Sequence, residues 1–146
     1  MYIPNEGIHS RDGSWMKINP EKDRGQGPLK VLYVEDDASS RNLVKRAFEF
    51  RDGWQLYLAG SLAEAAEMLP LQPDIILLDI QLPDGNGYDM LLHLKADPEL
   101  SAIPVIALTA YAMQEQIQAG LAAGFSHYLT KPVDLNQLFA VIEAVR

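Results

Sequence analysis

Six residues of this 146-residue chain have types that could do chemistry together: Glu35-Asp36-Asp37, Asp79, Thr109 and Lys131. Each lies at the end of a short apolar run. Asp79 closes the segment Pro73-Asp74-Ile75-Ile76-Leu77-Leu78-Asp79, and the turn Leu82-Pro83-Asp84-Gly85 follows. Carboxylates brought within about 5 Å of each other repel by roughly 3 kcal/mol at an effective dielectric near 20, so such a cluster binds protons or a cation. Hard oxygen ligands without His or Cys favour magnesium, manganese or calcium, and a shallow site with two or three acids suits magnesium. The direct-ligand candidates are Asp36, Asp79 and the backbone carbonyl of Gln81, with Glu35 acting through water. A carboxylate is also a nucleophile toward phosphorus. Lys131 and a cation would neutralise the oxygens of a transferring phosphoryl group, and the Thr109 hydroxyl could donate to one of them.

Taken singly, these residues say little. Glu35-Asp36-Asp37 reads equally well as an acidic cluster favoured by a helix dipole. Thr109 alone is most simply structural, Lys131 alone a solvated lysine, and Asp84-Gly85 a turn. His93 and His127 show no ligand spacing and read as surface or satisfied histidines.

The elements that must position the six alternate strand and helix signals five times from Leu29. Leu29 to Val34 is an apolar strand, followed by a helix over 38–50. Trp54 to Ala59 alternates, with Trp54, Leu56 and Leu58 on one side, as a sheet-edge strand does. Ser61-Leu62-Ala63-Glu64 fits a capping box opening a helix over about 62–69, ended by Pro70 and Pro73. The central strand is 74–79. The next helix follows Gly85 and runs to about Ala96. A buried strand from Ile103 to Leu108 comes next. An alanine-rich helix over 112–122 is closed by Gly124. A short strand from His127 to Thr130 and a helix over 134–145 capped by Asp134 complete the chain. Alternating βαβ units imply an α/β fold, a parallel sheet with right-handed crossovers and helices on both faces. Uninterrupted runs such as Ile75–Leu78 suit strands buried on both faces. All strands then present their C-terminal ends at one rim, the edge where open α/β sheets bind ligands. Residues as far apart as Glu35 and Lys131 meet there by topology, not through any local motif.

Composition narrows the classes. The length suits one domain, and 48% apolar residues suit a globular one. The chain has no cysteine, which excludes disulfides, thiolate metal sites and cysteine nucleophiles. No apolar stretch approaches the roughly 20 residues of a membrane span, and the N-terminus lacks a signal-peptide pattern, so a cytoplasmic protein is expected. A net charge of −8 argues against a nucleic-acid surface. Residues 1–28 hold four acidic and four basic residues, four glycines and three prolines, and read as a flexible arm in which Ser14-Trp15-Met16-Lys17-Ile18 is the part apolar enough to dock. All the net charge therefore falls on 29–146.

The set Val34-Glu35-Asp36-Asp37, Leu78-Asp79-Ile80-Gln81-Leu82-Pro83-Asp84-Gly85, Leu108-Thr109-Ala110 and Lys131-Pro132 resembles the receiver domain of bacterial two-component response regulators, over about residues 29–146. The spacings of 43, 30 and 22 residues that separate Asp36, Asp79, Thr109 and Lys131 suit that family. The resemblance implies a flavodoxin-like, doubly wound five-stranded parallel sheet of order 2-1-3-4-5 with five helices. It implies that Asp79 is the phosphoacceptor, that Glu35 and Asp36 hold Mg2+ (or Mn2+), that Thr109 is the switch hydroxyl, and that Tyr128 is the aromatic switch residue. It also implies that Lys131 pairs with the phosphoryl group and precedes a cis bond to Pro132. Gln81 and Tyr111, each two residues past a site residue, would flank the phosphoryl group, and the bulk of Tyr111 would lengthen its lifetime.

The expected function is a phosphorelay switch, not an enzyme in the ordinary sense. Its phosphodonor would be a histidine kinase or histidine phosphotransfer protein, and its output a downstream protein partner, with neither nucleic acid nor membrane bound directly. The surface from helix 112–122 to helix 134–145 is the one expected to carry a homodimer contact. A pseudo-receiver would show an incomplete set of acids, threonine and lysine, whereas this set is complete. An aspartyl-phosphate phosphatase would want a second carboxylate where Gln81 stands. No dinucleotide or P-loop glycine pattern occurs. The start at Met1 favours a stand-alone receiver over one detached from a hybrid kinase.

Overall fold

The structure, a computed structural model, describes residues 27–110 and 113–146 and the backbone of Ile8–His9 and Trp15–Met16. Tyr111 and most of the expected arm lie outside the described residues. Within the arm, Ile8 pairs with Met16 and His9 with Trp15 in a short antiparallel ladder. The sequence shows no strand period there, because two residues per strand are too few to display one.

Ten elements alternate from Leu29: β1 (Leu29–Val34), α1 (Ala38–Phe48), β2 (Trp54–Ala59), α2 (Leu62–Met68), β3 (Ile75–Leu78), α3 (Gly87–Ala96), β4 (Val105–Thr109), α4 (Gln114–Ala123), β5 (His127–Thr130) and α5 (Leu135–Val145). The five strands form one parallel sheet in the order β2-β1-β3-β4-β5, the flavodoxin-like arrangement. Every residue of β3 and β4 is buried, while β2, at the edge, is mostly half-buried. Leu32, Val34, Ile76, Leu78 and Ala107 pack with α2 and α3 on one face. Val31, Tyr33, Leu77, Ile106 and Leu108 pack with α1 and α5 on the other. Trp54, Leu56 and Leu58 join the second cluster and Tyr57 the first, as the alternation required.

Several bounds differ from the sequence expectation, each for a local reason. The helix over 38–50 ends at Phe48, and Glu49 and Phe50 belong to a turn. Pro70 does not stop its helix outright; α2 tightens into a 3-10 turn at Leu69–Leu71, where a proline in the first turn leaves no donor unsatisfied. Asp74 and Asp79 flank β3 rather than belonging to it. The fourth strand starts at Val105, after Pro104, and extends to include Thr109. Helix α4 begins two residues later than expected, at Gln114.

Two N-caps fall where expected, but the capping box is only half formed, because the Glu64 carboxylate accepts from the Gly60 amide at 2.6 Å rather than from that of Ser61. The Ser61 and Asp134 side chains accept from the Glu64 and Gln137 amides. Gly124 closes α4 with φ of 125°, a backbone conformation that favours glycine.

Candidate functional site

The alternation of the strands aims the site residues. Glu35, Asp79 and Lys131 each follow by two positions a side chain buried against α1 and α5, namely Tyr33, Leu77 and Leu129. Side chains two apart on a strand share a face, so the three ionic groups converge from β1, β3 and β5. Thr109 follows Ala107, of the opposite face, to which Tyr128 also belongs.

Carboxylate oxygens of Glu35, Asp36 and Asp79 lie within 4.8 Å of one another, the one such acidic group among the described residues; neither His93 nor His127 belongs to it. Glu35 and Asp79 are 1% and 6% exposed, whereas Asp36 is exposed. Lys131 Nζ donates to Asp79 Oδ2 at 2.9 Å and to Glu35 Oε1 in a very short contact. Burial acts against the charged lysine, but its hydrogen bonds to Asp79 and Glu35 and their negative charge outweigh this, and its pKa rises. The Gln81 amide donates to Asp79 Oδ1 at 3.2 Å. Glu35, Asp36, Asp37, Asp79, Gln81, Leu82, Pro83, Thr109, Ala110 and Lys131 line an open depression of about 520 Å³. The donor set is all hard oxygen with a buried anionic floor, so it fits a divalent cation such as magnesium or manganese.

The acidic triplet divides its labour. Asp37 caps α1, accepting from the Ser40 amide and hydroxyl, and these bonds lower its pKa. That is the helix-dipole use of an acid, while Glu35 and Asp36 serve the cluster. The main chain holds the acids in place. The Glu35 amide donates to Ala59 O, Arg41 donates to the Glu35 carbonyl, and the Asp79 amide donates to Val34 O. Gly87, at the start of α3, approaches Asp79 so closely that an added Cβ would stand 2.5 Å from the Asp79 carbonyl oxygen.

Two contributors were missed by sequence reasoning. Tyr33 is fully buried, and its hydroxyl donates to Glu35 Oε1 at 3.2 Å. Burial above all, then the Glu35 charge, pushes its pKa far up, so the phenol stays protonated. A tyrosine in a strand whose other buried residues are aliphatic was the available signal. Asp84 is more than a turn residue: its carboxylate accepts from the Leu62 and Ala63 amides, tying the loop after β3 to the first turn of α2. Tyr128 is half-buried, with its ring close enough to α4 that a Cβ at Gly120 would lie 2.7 Å from Cδ2. The Lys131–Pro132 peptide is cis, as the resemblance implied.

The sequence pattern of the response regulator receiver domain matches residues 31–143. The chain is 38% identical over 117 residues to the phosphate regulon transcriptional regulatory protein PhoB of Escherichia coli K12, covering 80% of this chain and 51% of that protein. It thus spans about half the length of that relative. Among solved structures, the Mn(2+)-bound form of response regulator Rcp1 superposes with a TM-score of 0.68 at 28% identity, over 81% of this chain and 91% of that one. The receiver domain of a signal transduction histidine kinase from Syntrophus aciditrophicus superposes with a TM-score of 0.70 at 30% identity, over 80% and 88%.

The chain therefore belongs to the response regulator receiver family. Receiver domains are phosphorelay signalling switches of two-component systems, and they are not enzymes in the ordinary sense.

Proposed function

We propose that this receiver takes a phosphoryl group on Asp79 from a phosphohistidine of a histidine kinase or phosphotransfer protein. One observation carries the reading. Asp79 Oδ2 is hydrogen-bonded to Lys131 at 2.9 Å, in the same group of oxygens, within 4.8 Å, that includes Glu35 and Asp36. Nucleophile, counter-charge and cation ligands thus share one open depression.

In the transfer, a carboxylate oxygen of Asp79 forms a bond to phosphorus while the P–N bond to the donor imidazole breaks and leaves with its electron pair. Asp79 needs no general base, because an ionised carboxylate already carries the attacking lone pair. Lys131 passes a hydrogen bond from Asp79 to a phosphoryl oxygen, and the Thr109 hydroxyl donates to another. Glu35, Asp36, Asp79 and the Gln81 carbonyl would hold Mg2+ or Mn2+, which when bound supplies charge neutralisation for the incoming group. Gln81 flanks the site where hydrolytic water must enter.

Phosphorylation adds about one unit of negative charge and several acceptor oxygens at Asp79. Thr109, drawn toward them, vacates space on the face it shares with Tyr128. The Tyr128 ring then moves inward, away from Gly120, and changes the surface of α4, β5 and α5 that a downstream partner or a second copy of the chain reads. A bias of a few kcal/mol inverts such an equilibrium. A second reading, the receiver of a hybrid histidine kinase, is favoured by the likeness to the Syntrophus domain and uses the same acceptor.

Incubation with magnesium and acetyl phosphate, read by intact mass, tests the assignment. The wild type should gain the mass of one phosphoryl group, and Asp79→Asn should gain none. Retention of the adduct by Asp79→Asn would sink the reading. Trp54 is a poor optical reporter, because it packs in tilted and edge-on contacts with Phe48 and Phe139 at the start of β2, at the opposite end of the sheet from the rim.

A further inference from the structure

We propose that Tyr33 is a positioning residue of the acidic cluster: its hydroxyl fixes the Glu35 carboxylate for a divalent cation and keeps that carboxylate partnered when Lys131 turns to the phosphoryl group. The inference rests on the reading of the cluster as a cation site.

Packing alone does not ask for a hydroxyl at this position. Tyr33 is fully buried among aliphatic and aromatic side chains, including Val31, Leu77 and Leu108. A hydroxyl carried into such a layer costs stability unless it is bonded. It finds its partner at the rim, on Glu35 Oε1, 3.2 Å away.

Glu35 receives three side-chain hydrogen bonds. Tyr33 and Lys131 donate to Oε1, and the Asp37 amide donates to Oε2 at 3.2 Å. Lys131 is shared with Asp79, so on Oε1 the donor that serves Glu35 alone is Tyr33. Two consequences follow. The carboxylate is oriented before an ion arrives, as donors behind metal ligands orient them elsewhere. Lys131 can also leave Oε1 without stranding a buried acceptor, whose exposure is 1%.

The test is direct binding of Mn2+ to the full chain, read from the electron paramagnetic resonance of the free ion. Tyr33→Phe removes one oxygen and keeps the ring, and Tyr33→Met is the second donor-free variant should the first fold poorly by circular dichroism. Donors behind metal ligands contribute roughly 10-fold or more to affinity, so either variant should raise the Mn2+ dissociation constant by about 10-fold. In a Glu35→Gln background the same substitution should leave the constant unchanged. A Tyr33→Phe protein that melts earlier but binds Mn2+ as the parent does would overturn the inference, as would an undiminished effect in the Glu35→Gln background. A parent that binds no Mn2+ would instead overturn the cation site itself, and this inference with it.

Discussion

Replacing Lys131 by methionine isolates the charge balance of the rim. Methionine keeps most of the stem and removes the ammonium that bridges Glu35 and Asp79. Those carboxylates are nearly inaccessible to water, so they are left facing each other without a counter-charge. Breaking a buried pair by removing one partner costs about 3–5 kcal/mol. The lysine side chain retains 22% exposure, which points to the lower end. A loss of about 3 kcal/mol corresponds to a Tm lowered by roughly 10 °C for a domain of this size. The assay is thermal unfolding followed by circular dichroism, first in chelator and then in excess magnesium. An ion present at about 100 times its dissociation constant stabilises by about 2.7 kcal/mol. Lys131→Met offers that ion the full negative charge, whereas the wild type has already spent part of it on the ammonium. Magnesium should therefore raise the variant's Tm more than the parent's and narrow the gap by the difference.

The pH dependence has a definite sign. The folded-state pKa of Lys131 is raised above its ordinary 10.5. Its contribution is complete at neutral pH and is lost as pH climbs through the raised value. The difference between parent and variant should stay level from neutrality to about that ordinary value and shrink above it. Equal Tm values in chelator, or equal magnesium shifts in both proteins, would refute the reasoning.

Two further predictions concern the loop between β3 and α3. Gly87→Ala places a Cβ 2.5 Å from the Asp79 carbonyl and 3.0 Å from Ile80 Cα; overpacking of this kind costs roughly 1–3 kcal/mol. Because the displaced atoms carry Asp79, the proposed acceptor, phosphoryl uptake from acetyl phosphate should slow more than Tm alone would suggest, and an unchanged rate would contradict the proposal. Asp84→Ala strips two acceptors from the first turn of α2 and should lower Tm at neutral pH. The bonds to Leu62 and then Ala63 lower the Asp84 pKa below its ordinary 3.8, so its contribution is present above that value and lost as pH falls through the lower folded one. The gap between parent and Asp84→Ala should narrow in acid, and a gap that widens there would count against the tie.

The sequence determined the layering and most of the site. Uninterrupted apolar runs at Ile75–Leu78 and Val105–Leu108 suit strands covered on both faces, and their alternation with helix signals implies a parallel sheet. Since every strand of such a sheet ends at the same rim, Glu35, Asp36, Asp79, Thr109 and Lys131 could be gathered without coordinates. The packing, not the sequence, separates Thr109 and Tyr128 from Asp79 and Lys131: the first pair lies on the face of Ala107, and the second follows Leu77 and Leu129 on the other. What the sequence left undecided were contacts between side chains distant along the chain, which no period encodes. Whether Asp37 or Asp36 caps α1 depends on where the chain turns after β1. Whether Asp84 only turns the chain or also holds α2 depends on how the β3–α3 loop lies against Leu62. Lys131 reaches two carboxylates at once because β1 lies beside the Asp79 strand on one side and β5 lies beyond β4 on the other, at distances set by the whole sheet. Tyr33 looks like one more core aromatic until the packing shows its hydroxyl reaching, past the end of its own strand, the acid that it holds.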